Sequence, residues 1–154
     1  MPIVNIFVGT DLRGPKKRRG KYIYVIQFIS SSGKKAVLTD GGIEDDMSEN
    51  SIALSALLHA LRRLNKPCNL HIHIENHYFR NTYLNGWAQE WQRNGWKKGN
   101  GTIPANMDLW YQLLAELKDH TVVIEPIGRH EFAEWMRMEL AMEERNYVKK
   151  YHAS

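Results

Sequence analysis

Cysteine is almost absent. Cys68 is the only one among 154 residues, which excludes an intrachain disulfide and any zinc site built on paired cysteines. A lone thiol points to a reducing, cytoplasmic setting rather than a secreted one. No apolar run approaches the roughly 20 residues that would span a bilayer. The opening residues MPIVNIFVGTDLRG lack a basic stretch followed by a long apolar core, so neither a membrane contact nor a signal peptide is expected. Repeats, low-complexity tracts and long linkers are missing as well, so one continuous domain over residues 1–154 is expected. What the chain does have is a 43% hydrophobic share against 25% charged, too apolar for disorder and enough to bury a sizeable core without a metal or disulfide staple.

The net charge of +4 is modest but unevenly distributed. RGPKKRRGK, residues 13–21, carries six cations in nine residues and no acid, whereas residues 125–144 are acid-rich. A local basic cluster fits a polyanionic partner, and it equally fits a solvated loop.

Along the chain, residues 3–8 read as a short strand, and KYIYVIQFIS (21–30) is rich in the aromatic and β-branched residues that strands favour. SSGKK signals a hairpin turn that returns the chain as a third strand over 36–39. The period then changes. Ser48 can cap a helix whose apolar positions Ala53, Leu57, Ala60, Leu61 and Leu64 keep helical spacing, and Asn65-Lys66-Pro67 ends it. LHIHI (70–74) alternates as a strand. Helices are expected over 78–91 and 106–117, a fifth strand over 121–125 and a closing helix over 131–147. The order βββαβααβα implies an α/β fold: three antiparallel strands, two more reached through helices, and helices on both faces of a mixed five-stranded sheet.

That order, with the residues placed on it, resembles the ribonuclease H family over nearly the whole chain. WAQEWQRNGWKKGNGTIPANMDLWYQL (87–113) is similar to the family's Trp-bearing helix, Gly-Trp-Lys turn and Asn-x-Asp-Leu-Trp helix start, with Trp87, Trp91, Trp96 and Trp110 at the family's spacings. HIHIENHYFRN (71–81) is similar to the strand that ends in Asp-Ser-x-Tyr, and SENSIALSALLHAL (48–61) to the helix that carries a glutamate ligand. The resemblance implies cleavage of the RNA strand of an RNA–DNA hybrid by two Mg²⁺ ions held between carboxylates, the oxygen ligands a hard cation requires.

Carried over position by position, the four acids fall on Gly9, Ala53, Glu75 and Met138. Only Glu75 is a carboxylate, so no metal is expected at the inherited site. Three other acids stand in register to relocate it: Asp11, two residues beyond Gly9 on a continuing strand, and Glu49 and Glu134, each four residues before Ala53 and Met138. Such a site would take Mg²⁺ or Mn²⁺. Against it, Glu49 suits the first turn of a helix and Asp11 suits a turn. The resemblance also places His130 where the family has a mobile histidine. It places Trp87, Trp91, Trp96, Lys97 and Lys98 in a basic handle over about 87–106, Asn50 where an asparagine reads the 2′-hydroxyl in the minor groove, and Asn106 at a substrate contact. The helical spacing of Trp87, Trp91 and Trp110 also suits core packing, leaving Trp96 as the better contact. His59, His71 and His73 read as sheet-face or core-flanking residues, and Cys68 as inert. Three functions stay open: binding of hybrid or duplex with hydrolysis lost, an active nuclease with rearranged metal chemistry, and a protein-interaction module.

Overall fold

A computed structural model describes residues 1–151. Five strands form one sheet in the order β3-β2-β1-β4-β5. β1 (Ile3–Thr10), β2 (Arg18–Ile29) and β3 (Lys35–Met47) are antiparallel neighbours, while β4 (Asn69–His73) and β5 (Thr121–Ile124) join parallel to β1 and to β4. The mixed α/β sheet matches the architecture expected from the sequence.

Alternation along the strands sorts side chains between two faces. Val4 and Ile6 of β1, Tyr24 and Ile26 of β2, and Leu70 and Ile72 of β4 join the main core. Phe7, Ile23 and Val25 point the other way into a smaller one. The main core is covered by α1 (Glu49–Leu61), which is buried on nearly every side, as a central helix must be. Its start is fixed by a capping box, in which the Ser48 hydroxyl accepts from the Ser51 amide and the Ser51 hydroxyl from the Ser48 amide. α4 (Met107–Leu117) packs beside α1 and contributes Trp110, Leu113 and Leu114.

Two helices expected as continuous are broken. The helix over 78–91 divides into α2 (His77–Leu84) and α3 (Trp87–Arg93) at Gly86, whose φ of 73° is a left-handed turn that glycine adopts without steric cost. The closing helix over 131–147 divides into α5 (Ala133–Leu140) and α6 (Glu144–Lys150). There the carbonyls of Leu140 and Met142 turn outward to accept from Lys21 Nζ at 3.2 and 2.5 Å instead of continuing the helix. α5 and α6 cover the smaller core. The Tyr147 hydroxyl reaches the backbone of β2 through space that Gly41 leaves open, since a Cβ there would stand 2.6 Å from it.

Candidate nucleic-acid interface

A cleft of about 710 Å³ opens at the C-terminal end of β1, where β1, α1, β4 and α5 converge. Gly9, Ala53 and Glu75 all line it, so three of the four positions carried over from the family do meet in space. The fourth does not. Met138 is 59% exposed and lies outside the cleft, because α5 turns Ala133, Met136, Arg137 and Leu140 inward at three- and four-residue spacing.

The floor of the cleft is apolar where a two-ion centre would need oxygen. A Cβ added at Gly9 would stand 2.9 Å from Met136 Cε and 3.3 Å from both Leu140 Cδ1 and Ile23 Cγ2. The volume that a strand side chain would occupy is therefore filled from α5. Ala53, 4% exposed, presents a methyl group. These residues do not fit the pair of Mg²⁺ ions that the resemblance implies, since neither hydrocarbon nor hydrogen ligates a hard cation. Among the described residues, no group of three or more His, Cys, Asp and Glu side chains is placed to hold a metal ion.

Of the four acids weighed for a relocated site, Asp11, Glu49 and Glu75 line the cleft and Glu134 does not. Asp11 Oδ1 accepts from the Lys21 amide at 2.8 Å, closing the β1–β2 loop. Glu49 Oε1 accepts from the Gly14 amide at 2.8 Å, while its own amide donates to the Gly14 carbonyl, pinning the same loop to the start of α1. Glu134 is exposed and bound by Arg137 through two contacts of 2.6 and 3.2 Å, a guanidinium that holds its carboxyl below the usual range.

His130 lines the cleft beside an aromatic group. Phe7 stacks on His73 at 4.2 Å and meets His130 at 4.5 Å and Phe132 edge-on at 5.0 Å. His130 Nδ1 accepts from the Phe132 amide at 3.2 Å, which places the ring proton on Nε2. Burial lowers the pKa of both His73 and His130, with Glu75 and Glu131 opposing it at His130. His59 and His71 are held by carboxylates, Glu44 at 2.8 Å and Glu125 at 2.6 Å, as sheet-flanking residues.

The rim and handle hold the remaining candidates. Asn50 Oδ1 accepts from Asn76 Nδ2 at 3.0 Å, and Asn76 Oδ1 caps α2 through the Phe79 amide at 2.7 Å. Arg13, the first cation of the basic stretch 13–21, lines the cleft, and Asn76, His77 and Arg137 are cleft residues that the sequence reading missed; for Asn76, the preference of asparagine for N-caps was the available signal. Asn106 and Trp110 both donate to the Tyr78 hydroxyl, at 3.3 and 2.9 Å. Trp110 is fully buried, Trp91 and Trp96 are half-buried, and Trp87 is 46% exposed. Trp96 adopts a left-handed φ of 65° and lies 5.7 Å from Tyr111. Lys97 and Lys98 beside it are exposed. Within the basic stretch 13–21, Arg19 is engaged by Asp45 and Glu144 and Lys21 by α5, while Lys16 and Lys17 stand exposed.

Comparison with known proteins bears on the family and the fold. The chain is 36% identical over 106 residues to the ribonuclease H of Rickettsia canadensis, covering 69% of this chain and 64% of that protein. It is 35% identical over 81 residues to the ribonuclease H of a Thermoanaerobacter species, covering 53% and 52%. The chain thus spans about half the length of the curated relatives it matches. Its fold superposes on a crystal structure described as a type 1 ribonuclease H with the type 2 active-site motif, with a TM-score of 0.72 at 18% identity, covering 89% of this chain and 69% of that one. A foamy viral protease–reverse transcriptase in complex with RNA/DNA hybrid gives a TM-score of 0.62 at 14% identity over 89% of this chain and 18% of that one. The sequence profile of the family described as RNase H matches residues 12–134, and the chain belongs to the ribonuclease H family.

Proposed function

We propose that the chain binds RNA–DNA hybrid or duplex nucleic acid on a ribonuclease H scaffold, in a cytoplasmic setting, with hydrolysis by the family's two-metal route lost or strongly impaired. The observation that carries this reading is the floor of the cleft: Met136 and Leu140 occupy the space beside Gly9, and Ala53 faces the same cleft. Binding rests on cations, amides and rings in and around the cleft. Arg13 and Arg137 line the cleft, and Lys16, Lys17, Lys97 and Lys98 are exposed for phosphate contact. Asn50 and Asn76 at the rim offer amides for a 2′-hydroxyl, the group that distinguishes RNA from DNA. The exposed face of Trp87 and the Trp96–Tyr111 pair offer stacking surface.

A second reading is an active ribonuclease with a rearranged Mg²⁺ or Mn²⁺ site, favoured by the presence of Asp11, Glu49 and Glu75 in one cleft. End-labelled RNA–DNA hybrid incubated with the protein and Mg²⁺ or Mn²⁺ separates the two when retention and cleavage are both recorded. Retention without cleavage is expected, with affinity falling steeply as salt rises. Metal-dependent cleavage that disappears in Glu75→Ala establishes the second reading instead.

A further inference from the structure

A cleft lined by three carboxylates is a poor seat for a phosphate. Asp11, Glu49 and Glu75 all line the space of about 710 Å³ at the end of β1. Gly9 and Ala53 add no oxygen that could help hold a cation between these acids and a phosphodiester. Like charges repel, so the backbone of a bound strand is driven away from the acids and toward the cations. Those are Arg13 and Arg137, which line the cleft, and Lys16 and Lys17, exposed on the β1–β2 loop.

The cleft suits a neutral, flat group better. Val8, Ile127, Met136 and Leu140 give it apolar surface, and its volume lies within the roughly 300–1,000 Å³ of ligand pockets. The three acids differ in what they have left to offer. Asp11 accepts from the Lys21 amide and Glu49 from the Gly14 amide, both at 2.8 Å. Glu75 is exposed and accepts no hydrogen bond among the described residues, so both of its oxygens are open to donors. His130 lines the same cleft with its proton on Nε2, which makes that nitrogen a donor.

We propose that the cleft takes a guanine base extruded from the bound nucleic acid, with Glu75 accepting from its N1–H and 2-amino groups. This rests on the nucleic-acid reading above and names what enters the site. Guanine alone among the four bases of RNA presents two adjacent donors on its pairing edge, the match for a two-oxygen carboxylate. Its O6 is an acceptor beside them, and His130 Nε2 is a donor for an acceptor of that kind. Uracil sets a carbonyl on each side of its one donor and meets the carboxylate with repulsion. The apolar side chains cover the faces of the base, as they do in enzymes that take a base out of the stack. Extrusion costs least where the base is already unpaired, so a bulged guanosine is the favoured substrate. The phosphates on either side are left to Arg13, Arg137 and the loop lysines.

The test uses the full chain and fluorescein-labelled RNA–DNA hybrids that share one sequence and carry a single extra nucleotide in the RNA strand. That nucleotide is guanosine, inosine, uridine or an abasic residue, and a fully paired hybrid completes the series. Anisotropy is read in EDTA, so that a metal-dependent mode does not contribute. The guanosine bulge should bind about tenfold or more tighter than the uridine bulge, with inosine, which lacks the 2-amino group, between them. The abasic bulge, equally flexible but without a base, should bind like the paired hybrid. Glu75→Gln keeps one acceptor and should bring guanosine to within about threefold of uridine. Thermal melting confirms that this exposed substitution keeps the fold. Equal affinity for the guanosine, uridine and abasic bulges overturns the proposal while leaving nucleic-acid binding in place. So does a guanosine preference that survives in Glu75→Gln. Displacement of the bulged hybrid by equimolar guanosine monophosphate also overturns it, since the pocket then belongs to a free nucleotide. No binding to any hybrid, the paired one included, overturns the broader reading as well.

Discussion

The two faces of the sheet are held by different chemistry. Toward α1 and α4, Val4, Ile6, Leu70 and Ile72 meet Ile52, Leu57 and Trp110 in an almost wholly apolar layer. Toward α5 and α6 the layer is smaller and richer in polar ties. The Tyr151 hydroxyl donates to Glu139, Lys150 pairs with the same carboxylate, and Lys21 holds the end of α5 by its carbonyls. A chain of amides from Asn5 through Gln27 to Glu131 crosses the same face. The cleft lies where the two layers meet, and the two positions beside it at which the family resemblance expects carboxylates are of different kinds. On the α1 side an alanine ends the side chain at its Cβ within an otherwise intact helix. On the α5 side a glycine is accompanied by neighbours that have filled the space. Alanine at position 53 is thus a local feature of α1, whereas glycine at position 9 is built into the packing of α5.

The largest expected effect falls on the α1 face. Trp110 is fully buried, stacks on Phe79 at 5.6 Å and donates to Tyr78, so Trp110→Ala should cost about 3–5 kcal/mol. Urea unfolding measures it, and a loss below 1 kcal/mol, roughly that of a surface change, would contradict the assignment of this face as the main source of stability.

Next in size is the repair of the cleft. Gly9→Asp alone should destabilise by about 1–3 kcal/mol, since its side chain enters space held by Met136 and Leu140. Combined with Met136→Ala and Leu140→Ala, the cost of the aspartate should shrink, and the difference is a coupling energy read from a mutant cycle. Strict additivity would show that α5 does not fill the position. Any attempt to restore metal-dependent cleavage has to include these two truncations. Substitution at Met138 does not contribute, because that side chain faces solvent.

How much of this was legible in the sequence follows the same division. The strands, α1 and α4 carry regular apolar periods, and a period survives without knowledge of what packs against it. The breaks were not legible. Gly86 and the carbonyls of Leu140 and Met142 act through one backbone conformation and one distant lysine, neither of which leaves a period. The cleft was legible as a list of positions and misread in register on α5. Counting along the chain put Met138 in the last acid's place, while the actual docking angle of the helix turns Ala133 and Met136 inward. The filling of the Gly9 space was invisible for the same reason, being a contact between residues far apart in the chain.

Acidification gives a smaller effect, again confined to the α5 face. His73 and His130 are neutral in the fold because burial lowers both pKa values below the ordinary 6.5. The unfolded chain binds protons near 6.5, so this contribution to stability is present above that pH and is lost as pH falls through the lowered values. Glu75, Glu125 and Glu131 act in the opposite direction and limit the effect. The melting temperature should fall by a few degrees between neutral and mildly acidic pH. His73→Gln with His130→Gln should flatten that slope, and an unchanged slope in the double variant assigns it to other groups.

The smallest expected effect concerns Glu134, and it separates a relocated metal site from a solvated helix surface. Glu134 is one of four acids that such a site would require, yet it does not line the cleft that Asp11, Glu49 and Glu75 share and is bound to Arg137 on the same helix. Exposed pairs three residues apart contribute little, because water screens them and both side chains give up rotational freedom. Glu134→Gln should therefore leave thermal stability and hybrid retention unchanged. It also releases Arg137, which lines the cleft, so the retention assay is sensitive to a gain as well as a loss. A Mn²⁺ titration of the melting temperature completes the test. Ions that bind the folded chain alone raise it by mass action, about 2.7 kcal/mol at a hundredfold excess over the dissociation constant. A saturable rise in the parent that vanishes in Glu134→Gln requires this carboxylate to swing off Arg137 and join the cleft. No rise in either protein is the outcome expected from an acid held at the surface of α5.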